Sequence, residues 1–189
     1  MSAIRIAPLT DTPAIRSALN DLLVETVAHG GSVSFMHPLP AEVADRFWRS
    51  SLAAAERGER IVLGAFDDDE LVATVTLQLD LPPNQPHRAE IAKMMTRLSH
   101  RHRGVATALL RAAETLARAH GRTLLVLDTA TDGGASELYE RLGFQLTGTI
   151  PDYAFKPHGG LTGTKIYWKR VAAMAQGRFG SSEPVDAKK

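Results

Sequence analysis

Residues 88–120 read RAEIAKMMTRLSHRHRGVATALLRAAETLARAH, and the rest of the predicted fold is arranged around them. The segment 88–98 is typical of a strand, and apolar residues recur at helical spacing through 105–117. The basic turn RHRGVA at 101–106 lies where that helix begins. Because a helix N-terminus presents free backbone N–H groups and the positive end of the helix dipole, we expect this turn to bind a phosphorylated cofactor.

Two features of the turn suit a pyrophosphate group. Gly104 and Ala106 have little or no side chain, so a ligand can lie close to the backbone. Arg101 and Arg103 supply positive charge that can pair with phosphate oxygens. The glycines do not form a G-x-G-x-x-G pattern and no Walker loop is present, so the sequence does not support a dinucleotide-binding fold.

The run TLLVLD at 123–128 is nearly continuous in apolar residues, which is typical of a strand covered on both faces. Strand, helix and strand across 88–128 therefore predict a right-handed βαβ unit. Adjacent parallel strands would bring Glu90 and Asp128 into one cleft, where one carboxylate can accept a proton directly or through a water. The plainer alternatives are a strand-end hydrogen bond for Asp128 and a solvated edge acid for Glu90.

The remaining elements are predicted from hydrophobic periodicity and from the Gly and Pro residues that end helices and strands. They are a short edge strand at 4–6, a helix from about residue 13 capped by Thr10 or Asp11, a helix at 40–57, a hairpin of strands 61–66 and 71–81, a short helix at 135–142, and strands at 145–150 and 164–171. We expect residues 1–171 to form a single domain. The small and polar tail at 172–189 is expected to be mobile.

Composition excludes several classes of protein. With 44% hydrophobic and 23% charged residues, the 189-residue chain has the balance of a soluble globular domain. It has no cysteine, which excludes disulfides, a zinc ribbon and a cysteine nucleophile. A net charge of +1 argues against bulk nucleic-acid binding. The first residues lack a signal-peptide pattern and no apolar run reaches membrane-spanning length, so we expect a cytoplasmic protein without a membrane partner.

Two clusters invite a metal-site interpretation, and neither is favoured. The acidic run DDDE at 67–70 lies in a hairpin turn, where consecutive acids are usually solvated. His100 and His102 lack further ligands nearby in the sequence. The same RHR cluster has no interleaved aromatics, which favours a pyrophosphate over a nucleic acid. No metal is expected.

A family resemblance is carried by two motifs. The helix-opening pattern Arg101-x-x-Gly104-x-Ala106 resembles the acetyl-CoA pyrophosphate loop of the GNAT N-acetyltransferases, and YERLGF at 139–144 resembles the family's Y-x-x-x-G-F segment. The resemblance implies an α/β (α+β) GNAT fold, with a mixed, mostly antiparallel, twisted central sheet flanked by helices and splayed between the fourth and fifth strands. It also implies acetyl-CoA as a co-substrate.

Further segments resemble one branch of that family, the tabtoxin-resistance acetyltransferases. They are LLVETV at 22–27, the HGG and SVSFM loop at 29–36, HRAE at 87–90, LLVLDT at 124–129, PDY at 151–153 and KIYWK at 165–169. This resemblance implies that the acceptor is the amino group of a small molecule, such as an amino-acid-like toxin or antibiotic. It further implies that Glu90 and Asp128 serve as a carboxylate general base, without saying which of them takes the proton.

The resemblance also assigns the remaining site residues. Tyr139 is implied as the group that reaches the cofactor sulfur and acts as general acid, with a half-buried packing tyrosine as the plainer alternative. Leu98 stands where many relatives have proline, and Asp132 stands where many have asparagine, so Asp132 is only a weak cofactor candidate. The implied cofactor-binding residues are Met95, Thr96 and Arg97 through their backbone, Arg101, His102, Arg103, Gly104, Val105, Ala106 and Thr107 in the turn, and Asp132.

Two loops are expected to shape the acceptor pocket, at 30–37 and 153–160. Phe35, Met36 and Tyr153 are the candidate walls; the plainer alternative is an ordinary pair of loops whose aromatics lie in the core. A closed pocket would suit a small amine, and an open groove would suit a protein or peptide acceptor. A non-catalytic acyl-CoA sensor is the third alternative, and the oligomeric state stays open, with a homodimer as one candidate.

Overall fold

The computed structural model describes residues 4–172. Its elements, in chain order, are β1 Arg5–Pro8, α1 Pro13–Ala28, α2 Ala41–Glu56, β2 Arg60–Asp67, β3 Glu70–Gln78, β4 Arg88–Thr96, a 3₁₀ turn Leu98–His100, α3 Val105–Ala119, β5 Leu124–Ala130, α4 Ser136–Arg141, β6 Gln145–Phe155 and β7 Leu161–Arg170. The predicted polar tail lies outside the described residues, apart from Ala172.

The strands form one sheet in the order β1-β2-β3-β4-β5-β7-β6. Every neighbouring pair is antiparallel except β4 and β5, which are parallel. The mixed, mostly antiparallel sheet expected from the sequence is therefore confirmed, and so is the βαβ unit formed by β4, α3 and β5.

Helices cover both faces of the sheet. Val62 packs in a core cluster with α1 and α2, while the next residue, Leu63, packs in a second cluster with α3. Because successive strand residues point to opposite faces, the two clusters lie on opposite sides of the sheet. The α1 and α2 side is the face on which the acceptor loops lie, and the α3 side carries the basic turn.

The sheet opens between its two parallel strands. β4 and β5 are paired only from Arg88 opposite Leu124 to Ile91 opposite Leu127. Beyond these pairs β4 continues with β3 alone and β5 continues with β7 alone. A bulge bends β4 at this point, because Ala92 pairs with Thr76 while Met95 already pairs with Thr74. The predicted splay between the fourth and fifth strands is present, as a wedge that starts after Ile91 and Leu127.

Two details differ from expectation. The cap of α1 is Thr12, whose Oγ1 accepts a hydrogen bond from Ile15 N–H at 3.2 Å, rather than Thr10 or Asp11. Pro13 occupies the first turn, so the residue immediately before it takes the cap position.

β6 continues to Phe155, so Tyr153 belongs to a strand and not to a loop. Pro151 is tolerated within β6 because the strand is at the edge of the sheet. The homodimer stays a prediction.

Candidate active site

The turn before α3 has the backbone geometry of an anion site. Gly104 is the N-cap of the helix, with φ 80° and ψ 0°, and no side chain caps the helix end. The first helical hydrogen bond runs from Ala108 N–H to Gly104 C=O at 3.0 Å. The N–H groups of residues 105–107 therefore have no partner within the helix and point out of its end, where a phosphate can accept from them. A Cβ at Gly104 would meet nothing within 4 Å, so the approach to this backbone is open.

The basic side chains of the turn divide into two groups. Arg103 Nη2 donates to Asp67 Oδ2 at 3.2 Å, and the buried His100 ring lies 3.1 Å from the same oxygen through Nε2. Asp67 thereby fixes the turn to the β2–β3 hairpin. The sequence predicted a solvated acidic run at 67–70, so this contact of Asp67 differs from the expectation. Arg101 and His102 are exposed, so they are the side chains of the turn most available to an anion.

The β4 segment named as a cofactor site offers backbone rather than side chains. Met95 is buried in the α1 and α2 core cluster. Arg97 Nη1 donates to Glu25 Oε2 at 2.9 Å, and its Nε lies 3.3 Å from Glu70 Oε1. Past the last β4–β5 pair, the β5-facing edge of β4 has no strand partner, which leaves main-chain groups near Thr96 for a ligand lying in the wedge.

Asp132 is not brought to the turn by any contact. Its Oδ1 accepts a hydrogen bond from Thr131 Oγ1 at 3.2 Å, and its Oδ2 lies 3.3 Å from Lys156 Nζ. Lys156 follows β6, on the side of the acceptor loops. The carboxylate of Asp132 therefore stabilises the β6–β7 loop, and its assignment to the cofactor stays a weak prediction.

The two candidate base residues line one cavity. A cavity of about 160 Å³ is lined by Glu90, Asp128 and Tyr153, with apolar walls from β5 and β7. In the parallel pairing Glu90 stands opposite Val126, and Asp128 is two residues further along β5 on the same face. The structure thus brings together three residues that lie 63 positions apart in the sequence from first to last.

Both acids are held in place by neighbours that sequence reasoning missed. Arg88 Nη1 donates to Glu90 Oε2 at 3.2 Å. The buried Thr164 Oγ1 lies 3.2 Å from Asp128 Oδ2 and 3.2 Å from Thr129 O, so it bridges β7 to the end of β5. Each acid keeps a second carboxylate oxygen for a ligand. The signal for Arg88 was its two-residue spacing from Glu90 on one strand face, whereas nothing in the sequence pointed to Thr164.

Tyr139 lies on α4 with its side chain buried. Its ring is 6.0 Å from the centroids of both Phe144 and Tyr167. Burial raises the pKa of the Tyr139 hydroxyl to about 12, and the negative charge of Asp128 adds to the effect. The phenol is therefore protonated at neutral pH, within electrostatic reach of the cavity that holds the two acids.

The acceptor loops are joined to each other over the α1 and α2 face. His37 N–H donates to Pro157 O at 2.8 Å, and the His37 and His158 rings lie 4.4 Å apart. His158 Nε2 donates to Ala28 O at 3.0 Å, because the carbonyl can only accept. Together residues 28–37 and 156–160 form what we call the arch.

The three predicted wall residues have different environments. Phe35 is half-buried and meets Phe47 edge-on at 5.2 Å, so its ring belongs partly to the α1 and α2 core. Met36 and Tyr153 are 50% and 56% exposed, so both are free to contact a ligand. Of the three, the structure places only Tyr153 in the cavity with the two acids.

Other features of the described residues do not add to this site. A larger cavity of about 440 Å³ lies between α3 and α4, but Glu114 at its wall pairs with Arg118 and with Lys169 Nζ at 2.6 Å. It contains none of the predicted site residues. Within residues 4–172, no group of three or more histidine and acidic side chains is arranged to hold a metal ion. Among the described helices, none is long and apolar enough to cross a membrane.

The family model and the relatives found by comparison with known proteins are all acetyltransferases. Residues 24–144 match the acetyltransferase (GNAT) family. N-acetyltransferase 8F1 of Rattus norvegicus is 38% identical over 68 residues, which are 35% of this chain and 31% of that protein. N-acetyltransferase 8B of the same organism is 37% identical over 82 residues, 42% of this chain and 37% of that protein. The similarity to these two relatives thus spans about a third of their length.

Solved structures share the fold at low sequence identity. An N-acetyltransferase from Staphylococcus aureus Mu50 matches with a TM-score of 0.74 at 16% identity, over 89% of this chain and 99% of that one. YncA of Salmonella typhimurium, a putative acetyltransferase solved with its cofactor acetyl-CoA, matches with a TM-score of 0.74 at 17% identity, over 93% of this chain and 98% of that one. On the family match and the shared fold, this chain belongs to the acetyltransferase (GNAT) family, a family of acyltransferases that use acetyl-CoA.

Proposed function

We propose that this chain transfers an acetyl group from acetyl-CoA to the amino group of a small molecule. One observation carries the proposal: Glu90 and Asp128 line the same cavity, beside the wedge where the sheet opens. A pair of carboxylates at this position can receive the proton that an attacking amine must lose. The tabtoxin-resistance resemblance supports an amino-acid-like toxin or antibiotic as the acceptor.

The residues present fit acetyl-CoA. The open helix end at Gly104 offers unpaired backbone N–H groups for a pyrophosphate, and Arg101 and His102 stand exposed beside it. The unpaired edge of β4 offers peptide groups for the amides of the pantetheine arm. When bound, acetyl-CoA supplies the acetyl group as a thioester. The chain's own residues then have to position the amine and handle its proton.

The reaction we propose is a direct attack. The amine nitrogen forms a bond to the acetyl carbon, the carbon–sulfur bond breaks, and its electron pair stays on sulfur. The amine proton passes to Glu90 or Asp128, directly or through a water. Arg88 and Thr164 keep the two carboxylates oriented for this step.

Tyr139 is suited to stabilise the leaving sulfur. Since burial raises the pKa of its hydroxyl to about 12, the hydroxyl keeps its proton throughout the neutral range. A free thiol has a pKa of about 8.5, so complete proton transfer from Tyr139 to a thiolate is unfavourable. We therefore propose that Tyr139 donates a hydrogen bond to the developing negative charge rather than its whole proton.

The arch supports a small acceptor over a protein. A peptide would need an open groove beside Glu90 and Asp128, yet the backbone hydrogen bond from His37 to Pro157 joins the two loops that flank this face. The contact between the tilted His37 and His158 rings reinforces that join. We expect a small amine to reach the cavity with the loops still joined, and a folded protein substrate to require their separation.

The test is release of free CoA thiol from acetyl-CoA with three sets of acceptors: amino acids, simple amines and peptides with free N-termini. The proposal expects turnover with at least one small amine and little with peptides. Faster turnover with peptides would favour a protein acceptor. If no acceptor is acetylated while acetyl-CoA still binds tightly, the chain is an acyl-CoA sensor and the proposal is wrong.

A further inference from the structure

Lys93 stands at the point where the sheet opens. It is two residues beyond Ile91, the last β4 residue paired with β5, and it lies in the bulge of β4. Its φ of 51° is in the left-handed region, where few residues other than glycine are found. A lysine in such a backbone position, in a strand otherwise rich in alanine and methionine, costs conformational energy and calls for a functional reason.

The side chain of Lys93 reaches toward the acceptor face. Its Nζ donates a hydrogen bond to Ser34 Oγ at 2.9 Å. The same nitrogen lies 5.9 Å from the centroid of the Phe35 ring and 5.7 Å from that of Phe47. The ammonium group therefore lies near two aromatic rings and one hydroxyl, beside the loop 28–37 that forms half of the arch.

No acid of the described chain forms an ion pair with this ammonium. Burial lowers the pKa of Lys93, and the charge of Asp128 across the wedge opposes this effect without making a salt bridge. Two of its three N–H donors have no partner in the arrangement described. A half-buried cation with spare donors is a binding site for an anion, since the attraction between charges is stronger where water is partly excluded.

We propose that Lys93 binds the carboxylate of the acceptor, so that the preferred substrates are amines that also carry a free carboxylate. This inference rests on the proposed function and names its substrate class. The acceptor would lie across the wedge, with its amino group toward Glu90 and Asp128 on one side and its carboxylate at Lys93 on the other. The positive charge of Lys93 and the two negative charges then fix the orientation of a zwitterionic acceptor and disfavour the reversed one.

The rival explanation is mechanical. In that account Lys93 serves only as a latch that holds Ser34 and the arch against β4. The two accounts separate experimentally, because Ser34→Ala removes the latch hydrogen bond and keeps the cation, whereas Lys93→Met removes the cation and keeps most of the side-chain volume. Lys93→Arg retains the charge with a different shape and tests whether charge is what matters.

The experiment compares matched acceptors in the full-length protein. Each of a panel of free amino acids is assayed beside its carboxamide, and kcat/KM is measured for wild type, Lys93→Met, Lys93→Arg and Ser34→Ala. In wild type we expect the free acid to be preferred by about tenfold or more, the increment of one charge-assisted hydrogen bond. In Lys93→Met the preference falls to about one while the KM for acetyl-CoA is unchanged; in Ser34→Ala and Lys93→Arg much of it persists. If Lys93→Met prefers the free acid as strongly as wild type does, or if wild type shows no preference for it, the inference is overturned.

A binding measurement keeps this test separate from the proposed function. Titration calorimetry with N-acetylglycine and N-acetylglycinamide, in the presence of CoA, probes the carboxylate contact without any turnover. Tighter binding of the acid in wild type, lost in Lys93→Met, supports the role of Lys93 even if no amine of the panel is acetylated. Equal binding of the two compounds to wild type, or the same difference in Lys93→Met, refutes it.

Discussion

The turn that begins α3 and the cavity lined by Glu90 and Asp128 are the two halves of the proposed site, and they are built differently. The turn is one contiguous stretch, and it offers backbone N–H groups at a helix end. The cavity is lined by side chains on β4, β5, β6 and β7, and the arch is contributed by two loops more than a hundred residues apart. The cofactor half of the proposed site therefore depends on main-chain geometry, and the acceptor half depends on individual side chains.

The largest expected effect is in the acceptor half. Glu90→Gln and Asp128→Asn each remove a candidate base while keeping the shape of the side chain. We expect the variant that lacks the true base to lose about 10² to 10⁴-fold in kcat, the range typical of general-base catalysis. Steady-state thiol release measures this loss, and the smaller effect of the other variant identifies which acid takes the proton.

Glu56→Gln is the matched control for these two variants. Glu56 is the exposed last residue of α2 and lines neither described cavity. It loses the same charge by the same chemical change, so its kcat should equal that of wild type. Full activity in both Glu90→Gln and Asp128→Asn would remove the carboxylate base from the account.

The second prediction concerns the cofactor half. Gly104→Val places a β-branched side chain at φ 80°, beside the backbone that we assign to the pyrophosphate. We expect the KM for acetyl-CoA to rise by about 10 to 100-fold, as one or two backbone hydrogen bonds to a charged group are lost. The acceptor preference should not change, because no side chain of the cavity is touched.

Gly58→Val is the control for backbone strain. Gly58 has φ 76° and an equally open Cβ position, but it follows α2 and lies far from the turn in sequence. Both variants should lose about 1 to 2 kcal/mol of stability from the left-handed backbone. If Gly58→Val raised the KM for acetyl-CoA as much as Gly104→Val, the loss would reflect general strain rather than a phosphate site.

Tyr139→Phe is expected to have an intermediate effect, about tenfold in kcat, as the hydrogen bond to the leaving sulfur is lost. The variant should also differ from wild type in how the free energy of unfolding depends on pH. The folded-state pKa of Tyr139, about 12, exceeds the ordinary value of 10.0, so the protonated phenol contributes stability that is fully present below pH 10 and is lost as pH rises toward 12.

Chemical denaturation across this alkaline range measures the effect. Wild type should lose stability more steeply with pH than Tyr139→Phe, and Tyr153→Phe, which removes an exposed hydroxyl, should follow wild type. Parallel curves for wild type and Tyr139→Phe would mean that the Tyr139 hydroxyl is not buried in the way described.

The smallest effect is expected at the arch. His158→Ala removes the ring that contacts His37 and donates to Ala28 O, while the His37 to Pro157 backbone hydrogen bond stays. We expect the KM for the acceptor to rise by about two- to fivefold, the loss of one net hydrogen bond, with the KM for acetyl-CoA unchanged. His120→Ala, at the exposed end of α3, is the control and should leave both constants as in wild type.

The difference between the cofactor half and the acceptor half also explains how much of the fold and of the proposed site could be predicted from the sequence. The strand, turn and helix of 88–120 and the parallel strand after it were predictable because periodicity and the basic glycine turn are local signals. Glu90 and Asp128 could be paired because two adjacent parallel strands fix their relative positions. Tyr153 was assigned to a loop, since the extension of β6 through Pro151 depends on its place at the sheet edge.

The contacts of the arch could not be predicted for a different reason. His158 acts through its ring contact with His37 and through the carbonyl of Ala28, 130 residues away. Asp67 was expected to be solvated, yet it fixes the turn through His100 and Arg103. In the sequence, Lys93 is an ordinary residue of a strand. Its place at the acceptor face depends on the bulge of β4 and on the splay between β4 and β5. Each of these roles arises from tertiary packing, which leaves no periodic trace in the sequence.

The most direct test is a titration of acetyl-CoA into the Glu90→Gln/Asp128→Asn double variant, compared with wild type by calorimetry on preparations whose turnover is also measured. We expect the turn before α3 to bind the cofactor independently of the two acids. The dissociation constant for acetyl-CoA should then stay within about twofold of wild type, below the increment of a single hydrogen bond, while turnover is lost. A dissociation constant that rises in proportion to the loss of turnover, or turnover that survives the double change, would contradict this expectation.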